Sequence, residues 1–191
     1  MPEGEEISEE EILLESEERM EKSIESFQRN LNNIRSSRAA PGMVDQIQVE
    51  YYGAMTPLQQ LATISIPEAR VIMISPFDKS SMGDVEKALL KSDLGLTPQS
   101  DGVVIRLVLP ELSGDRRKEL VKQVKGRTED ARVAIRNIRR DANDQIKKLK
   151  DGGVSEDDIK AAQGEVQKLT DGFIKKAEDL ADAKEQDILT I

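Results

Sequence analysis

Apolar residues recur at spacings of three and four along three stretches of this 191-residue chain. Such a period predicts a helix that buries one face, and three such helices predict a bundle or coiled coil. The apolar seams are Leu13, Met20, Ile24, Phe27, Leu31 and Ile34 in the first stretch; Leu120, Val124, Ala131, Ile135, Ile138, Ala142 and Leu149 in the second; and Ile159, Val166, Leu169, Phe173, Ala177 and Leu180 in the third.

The ends of the second and third predicted helices are marked by residues that favour helix boundaries. Pro110 precedes the second helix, and Gly152 and Gly153 end it. Ser155, with Asp158 three residues later, resembles a capping box at the start of the third helix. Because the connection is short, we predict that the second and third helices are antiparallel neighbours.

Between the first and second helices the apolar period changes to that of strands. The segments "DQIQVEYYG", "ATISIP", "RVIMIS" and "VVIRLVLP" predict strands, because apolar and β-branched residues alternate or cluster in them. "MGDVEKALLKSD" predicts a short helix, and "DLGLTPQSDG" predicts turns. Residues 37–109 are therefore predicted to form a small β/α/β domain inserted into a three-helix bundle made of residues 1–36 and 110–191, an α+β fold.

An inserted domain is joined to its host by two crossing segments, here "SSRAAPG" (36–42) and "LPELSG" (109–114). Two adjacent linkers permit hinge rotation and restrict free tumbling, although rigid packing of the domains is the alternative. The candidate hinge residues are Ser36, Ser37, Arg38, Pro41, Pro110 and Leu112.

Composition excludes several kinds of chemistry. The chain has no cysteine and no histidine, so it has no thiolate or imidazole for a metal site, a disulfide or a Ser-His-Asp relay. It also lacks a GxxxxGK[ST] phosphate-binding loop, and no residue pair stands out as catalytic. We expect a protein that is not an enzyme and needs no cofactor. No apolar run reaches the roughly 18 residues that span a bilayer, and the acidic start "MPEGEEISEEE" is unlike a secretory signal, so we expect a cytoplasmic protein without a membrane partner.

Charge is distributed unevenly along this chain of net charge −9. Residues 111–150 carry a net charge of +6, whereas residues 1–30 carry −8 and residues 151–191 carry −6. At about 100° per residue, the bases of the second helix fall in one sector of about 100°, centred roughly 125° from its apolar seam. We call this sector the basic stripe, and its members are Lys118, Lys122, Lys125, Arg132, Arg136, Arg139 and Arg140, interrupted by Glu129.

The partner of the basic stripe is left open by the residues themselves. A charged face is often only solvated and paired with acids of neighbouring helices. Here the bases are segregated from acids of the same helix, and four are arginines, whose planar fork suits phosphate oxygens. The stripe lacks interleaved aromatics, which favours the backbone of folded RNA over stacked single-strand bases. RNA and an acidic protein partner, as for a coiled-coil adaptor, remain equally supported, and an RNA chaperone is a third possibility.

Several motifs resemble the bacterial ribosome recycling factor family. They follow the family order over nearly the whole chain, and the basic helix and "EYYG" are the most specific. The matching segments are "IRSSRAAPGMVD" (34–45), "VEYYGAMTPLQQLA" (49–62), "FDKSSMGDVEKAL" (77–89), "SDLGLTPQSDG" (92–102), "RRKEL" (116–120), "ARVAIRNIRRDAND" (131–144), "VSEDDI" (154–159) and "VQKLTD" (166–171).

The resemblance implies a three-helix bundle with an inserted domain on a hinge, in an L shape like tRNA. It also implies a function: after translation termination, such a factor binds the ribosome with its bundle on large-subunit ribosomal RNA. Elongation factor G and GTP then act with it to separate the subunits and free mRNA and tRNA. A monomer is expected. By resemblance, the residues that meet RNA are Arg132, Arg136 and Arg139, with Arg140 and Lys122 on the same stripe and Arg35 at the bundle tip.

Overall fold

The computed structural model describes residues 8–191, and three long helices dominate it. These are α1 (Glu9–Asn32), α3 (Gly114–Lys148) and α4 (Glu156–Thr190). Together they account for most of one compact unit, which comprises residues up to Ile34 and Arg117–Gln186. Each helix presents one apolar stripe, so the three can bury a common core.

Most of the predicted seam positions are buried in the bundle, but Leu169 and Leu180 of α4 are only half-buried, and Ile146 of α3 is buried although it is not among the predicted positions. All of the predicted seam residues of α3 are buried except Leu149, which lies just beyond the helix end and is half-buried. At one end of the bundle, Ile12 of α1, Ile146 of α3 and Val166 of α4 belong to a single buried cluster. The apolar period predicts that Leu13 of α1 is buried. In the structure the neighbouring Ile12 is buried, and Leu13 is only partly buried against that cluster.

Side-chain caps define two of the helix starts. Ser8 and Glu11 form a complete capping box at the start of α1, in which each side chain bonds the backbone N–H of the other residue. Before α4, Ser155 Oγ accepts a hydrogen bond from the backbone N–H of Asp158 at 3.2 Å, as the capping pattern predicts. Gly153 precedes it with φ +92°, a left-handed conformation that glycine adopts without a steric penalty.

The second compact unit comprises Arg35–Arg116 together with Asp187–Ile191. It contains a two-stranded hairpin, a four-stranded antiparallel sheet of order β3-β4-β6-β5, and one helix, α2 (Met82–Lys91). The hairpin strands are β1 (Gln48–Tyr51) and β2 (Ala54–Pro57); the sheet strands are β3 (Ala62–Glu68), β4 (Val71–Pro76), β5 (Gln99–Ser100) and β6 (Ile105–Val108).

This unit has its own apolar core. Ile72 and Ile74 of β4 and Ile105 of β6 are completely buried, and Val85 of α2 packs into the same cluster. The α+β class is therefore confirmed. The predicted strands are present, but two short strands were not predicted: β2, which pairs with β1, and β5, which lies in the segment interpreted as turns.

The limits of the two units differ from the predicted domain limits at the carboxyl end. The last five residues, Asp187–Ile191, group with the second unit, although the predicted bundle includes them in residues 110–191. Within that unit, Arg38 and Asp187 form an ion pair at 3.0 Å, and Ile188 and Ile191 are buried.

Candidate RNA interface

Helix α3 places five of the six predicted RNA-binding residues on one face. Arg136, Arg140 and Lys122 are exposed, whereas Arg132 and Arg139 are half-buried. Each of these residues follows a seam residue by one or two positions, and each position rotates the side chain by about 100° around the helix axis. The face therefore lies beside the buried seam.

Arg132 is not the outward-facing side chain that helical counting predicts. Its guanidinium donates to the carboxylate of Glu178 on α4 at 2.7 Å and to Glu129 at 3.2 Å, and only 29% of the side chain is exposed. The hydrogen bonds to Glu178 and Glu129 raise the pKa of Arg132 above its usual value, so the group stays charged. The prediction was wrong here because α4 contributes an acid that α3 alone does not reveal.

Arg136 and Arg139 are held more loosely. Arg136 lies 3.7 Å from the Glu129 carboxylate, and Arg139 donates to the side-chain oxygen of Gln167 on α4 at 3.3 Å. Gln167 in turn donates to Asp171 at 2.8 Å. Long, partly exposed contacts of this kind contribute little to stability and are readily exchanged for other acceptors.

Arg140 and Lys122 have no salt bridge or side-chain hydrogen bond to any of residues 8–191. Both are exposed. Their charges are therefore available to an anionic partner without breaking an existing contact.

Arg35 is not placed with the other five residues. Helix α1 ends at Asn32, where the N–H of the capping residue Asn33 bonds back to the carbonyls of Arg29 and Leu31. Arg35 follows this turn and belongs to the second compact unit. Arg35 therefore lies beyond the end of α1, and its contact with RNA remains a prediction.

Comparison with known proteins identifies the family. Residues 27–189 match the family model described as ribosome recycling factor. The chain is 52% identical to the ribosome-recycling factor of Bacillus subtilis (strain 168) over 95% of this chain and 98% of the relative. It is 54% identical to that of Halalkalibacterium halodurans and 51% identical to that of Clostridium acetobutylicum, with similar coverage of 95% and 94% of this chain and 98% of each relative. The chain belongs to the ribosome recycling factor family.

Solved structures of ribosome recycling factors share the fold. A solution structure of the ribosome recycling factor superposes with a TM-score of 0.73 at 42% identity, covering 96% of this chain and 98% of that one. A second structure provides models for the T. thermophilus ribosome recycling factor and the E. coli elongation factor G bound to the E. coli post-termination complex. It superposes with a TM-score of 0.63 at 44% identity, covering 95% of this chain and 99% of the other.

The crossing segments of this recycling-factor fold are connected to each other inside the second unit. Ser37 Oγ donates to the carbonyl of Pro110 at 2.6 Å, which joins the two segments directly. Ser37 is buried, whereas Arg38, Pro41 and Pro110 are exposed. Ser36 and Leu112 are half-buried. The role of these six residues as a hinge remains a prediction.

Sequence reasoning missed the acceptors that α4 offers to the stripe of this recycling factor. Gln167 and Glu178 are eleven residues apart, about three helical turns, so they lie on the same face of α4. Arg139 meets Gln167 and Arg132 meets Glu178, so the pairs run in opposite directions along the two helices. This arrangement confirms that α3 and α4 are antiparallel. A search along the third helix for side chains with acceptor oxygens at three-turn spacing could have found Gln167 and Glu178.

Two other kinds of site are absent from the part of the chain that the structure describes. Within residues 8–191, no three side chains of Asp, Glu, His or Cys come together in a group that could hold a metal ion. Across the same residues, no helix is both long and apolar enough to cross a membrane.

Proposed function

We propose that this chain recycles ribosomes after translation termination, together with elongation factor G and GTP. The observation that carries the proposal is 52% identity to a ribosome-recycling factor over 95% of this chain and 98% of that relative. Models for a similar ribosome recycling factor and elongation factor G bound to the post-termination complex support the same two partners for this chain.

In this proposal the chain is a binding factor and not an enzyme. Its sequence lacks the histidine, cysteine and phosphate-binding loop on which many hydrolases depend, and GTP hydrolysis belongs to elongation factor G. The protein acts in the cytoplasm, where bacterial ribosomes translate.

The basic stripe of α3 is the proposed contact with large-subunit ribosomal RNA. Among residues 8–191, the acids that form ion pairs with its seven bases are Glu129 on α3 and Glu178 on α4, which leaves an excess of positive charge. Arginine and lysine bind phosphate oxygens and release counterions from RNA, so the affinity should fall as salt rises. RNA is a better fit than an acidic protein, since the family acts on a ribosome.

Hinge motion is the second proposed element of the mechanism. Ser36, Ser37, Arg38, Pro41, Pro110 and Leu112 lie where the chain passes into and out of the inserted unit, and two parallel connections limit the possible motion. Rotation about these connections would let elongation factor G displace the inserted unit while the bundle stays bound.

Subunit splitting tests the function directly. Post-termination ribosomes are mixed with the purified chain, elongation factor G and GTP, and light scattering reports the separation of subunits. We expect scattering to fall only when all three are present. No fall with the complete mixture, under conditions where the Bacillus subtilis relative works, would contradict the proposal.

A further inference from the structure

The turn between β1 and β2 carries a tyrosine in an unusual conformation. Tyr52 has φ +48° and the next residue, Gly53, has φ +78°. Tyr51 pairs with Ala54 across the hairpin, so Tyr52 and Gly53 form a two-residue loop with both φ angles positive, as in a type I′ turn. Asparagine, aspartate or glycine is preferred at the first of these positions, and a bulky side chain there is strained.

Burial of the Tyr52 side chain does not offset the strain of its backbone conformation. Its side chain is 81% exposed, the most exposed of the large apolar and aromatic residues of the second unit. An aromatic side chain that is both strained and exposed is poorly explained by folding stability, and such outliers cluster at binding sites. The exposed ring of Tyr52 is therefore a candidate binding surface.

The ring of Tyr52 is positioned by a chain of contacts. Tyr51 packs against it edge to face, with ring centroids 4.5 Å apart and an interplanar angle of 76°. The hydroxyl of Tyr51 donates to Asp78 at 3.2 Å, and the other oxygen of Asp78 accepts the backbone N–H of Ser80 at 2.9 Å. These hydrogen bonds fix the ring of Tyr51 near the start of α2, and the Tyr51 ring in turn packs against the ring of Tyr52.

The space beside the rings is small and acidic. A notch of about 240 Å³ is lined by Tyr51, Tyr52, Ser80, Ser81 and Asp84. Small-molecule sites are commonly about 300–1,000 Å³, so this notch has room for one long side chain. Asp84 is exposed and has no ion pair or side-chain hydrogen bond with any of residues 8–191.

The chemistry of the notch selects a planar cation. An aromatic face attracts a guanidinium group, and a neighbouring carboxylate can accept its hydrogen bonds. A nucleotide would bring a phosphate toward Asp78 and Asp84, which is unfavourable. The positive end of α2 offsets part of this negative charge, but only by about half an elementary charge against two carboxylates.

We propose that Tyr51, Tyr52 and Asp84 form a binding site for the guanidinium group of an arginine that a basic protein partner presents. The site is separate from the basic stripe and takes a ligand of opposite charge. It does not depend on the proposed function, because the contacts that build it belong to the inserted unit alone.

The two tyrosines give a direct experimental signal. The chain has two tyrosines, three phenylalanines, and no tryptophan or histidine, so its aromatic proton NMR spectrum contains few rings. The full-length protein is titrated with the blocked peptide Gly-Arg-Gly, with the matched neutral peptide Gly-citrulline-Gly, and with uridine monophosphate. Tyr52→Asn, which retains a favoured turn residue, and Asp84→Asn are titrated in parallel.

We expect the arginine peptide to shift the tyrosine signals at concentrations about ten-fold lower than the citrulline peptide, through the cation–π contact and the carboxylate together. Tyr52→Asn and Asp84→Asn should each remove most of that preference. Equal responses to the arginine and citrulline peptides, a stronger response to uridine monophosphate, or an unchanged preference in both variants would overturn the proposal. The result of this peptide titration does not depend on the result of the subunit-splitting assay, so the two proposals can fail separately.

Discussion

Arg132 of α3 and Glu178 of α4 are joined by an ion pair of 2.7 Å across the bundle, within the surface proposed to bind RNA. The charge of Arg132 is therefore partly neutralised by a carboxylate on the neighbouring helix. Of the two side chains, 29% and 45% are exposed, so the pair is screened by solvent and its contribution to stability is small.

The variant Glu178→Gln should strengthen ribosome binding. The change removes one negative charge beside the stripe and releases Arg132 to a phosphate, while the loss of an exposed pair costs about 1 kcal/mol or less of unfolding free energy. Affinity for large ribosomal subunits is measured by co-sedimentation, and stability by urea unfolding. Asp179→Asn, an exposed acid one position along α4, is the matched control. Weaker or unchanged binding by Glu178→Gln would show that Arg132 does not contact RNA.

Ser37→Ala should loosen the join between the two crossing segments. Ser37 is 5% exposed and donates to the Pro110 carbonyl at 2.6 Å, so its loss should cost about 0.5–1.5 kcal/mol of unfolding free energy. The nearby amides of Ala39 and Leu109, which bond to the carbonyls of Ala69 and Arg70, should exchange hydrogen faster.

Hydrogen exchange followed by NMR measures both the loss of unfolding free energy and the faster exchange of the Ala39 and Leu109 amides. Ser36→Ala is the control because Ser36 is adjacent and less buried. If Ser37→Ala leaves the two amides as protected as in the unchanged protein, this hydrogen bond does not restrain the segments.

Tyr52→Asn should stabilise the hairpin. Asparagine adopts positive φ at a lower steric cost than tyrosine, and Asn-Gly is a favoured pair for a type I′ turn. Because Tyr52 is 81% exposed, its removal sacrifices little burial. We expect the melting temperature to be unchanged or higher by a few degrees, about 1 kcal/mol or less, in calorimetry. A clear fall in melting temperature would mean that the Tyr52 ring stabilises the fold and that its exposure has a structural reason.

Ile135→Ala should destabilise the bundle without altering the stripe. Ile135 is completely buried on the seam of α3, so its truncation should cost about 2–5 kcal/mol of unfolding free energy. Val133→Ala, on the exposed side of the same helix, should change stability by roughly 0.5 kcal/mol or less. Urea unfolding measures both variants. A similar small effect in the two would contradict the assignment of the seam as the core.

The helices and their buried faces could be predicted because they depend on local periodicity. Val124 and Ile135 fall on one face of any helix that contains them, and this face becomes the core whatever it packs against. The short strands could not be predicted in the same way. β2 is only "AMTP", too brief for an alternating pattern and ended by proline, and it is a strand only because the turn at Tyr52 brings it beside β1.

The candidate site was predicted in part, for a related reason. Counting residues along α3 placed Arg140 and Lys122 correctly on an exposed face, because their exposure depends only on their position around their own helix. The same counting misplaced Arg132, because Glu178 lies 46 residues away and depends on the register between two helices. The apolar period extends the first helix to Ile34, whereas α1 ends at Asn32, because a helix end depends on a cap and a turn that the period does not record.

Salt dependence of large-subunit binding tests the central claim that the basic stripe contacts ribosomal RNA. The test variant combines Arg136→Gln, Arg140→Gln and Lys122→Gln, all of them exposed. The control is Arg127→Gln, an exposed arginine that lies roughly 170° from the stripe on the same helix. Melting temperatures are measured first to establish that all proteins are equally folded.

We expect the slope of log affinity against log salt to fall by about one for each stripe residue replaced, and not to fall for the control. The triple variant should also bind at least about ten-fold more weakly at low salt. If the triple variant and Arg127→Gln show the same slope and the same affinity as the unchanged protein, the stripe does not bind ribosomal RNA.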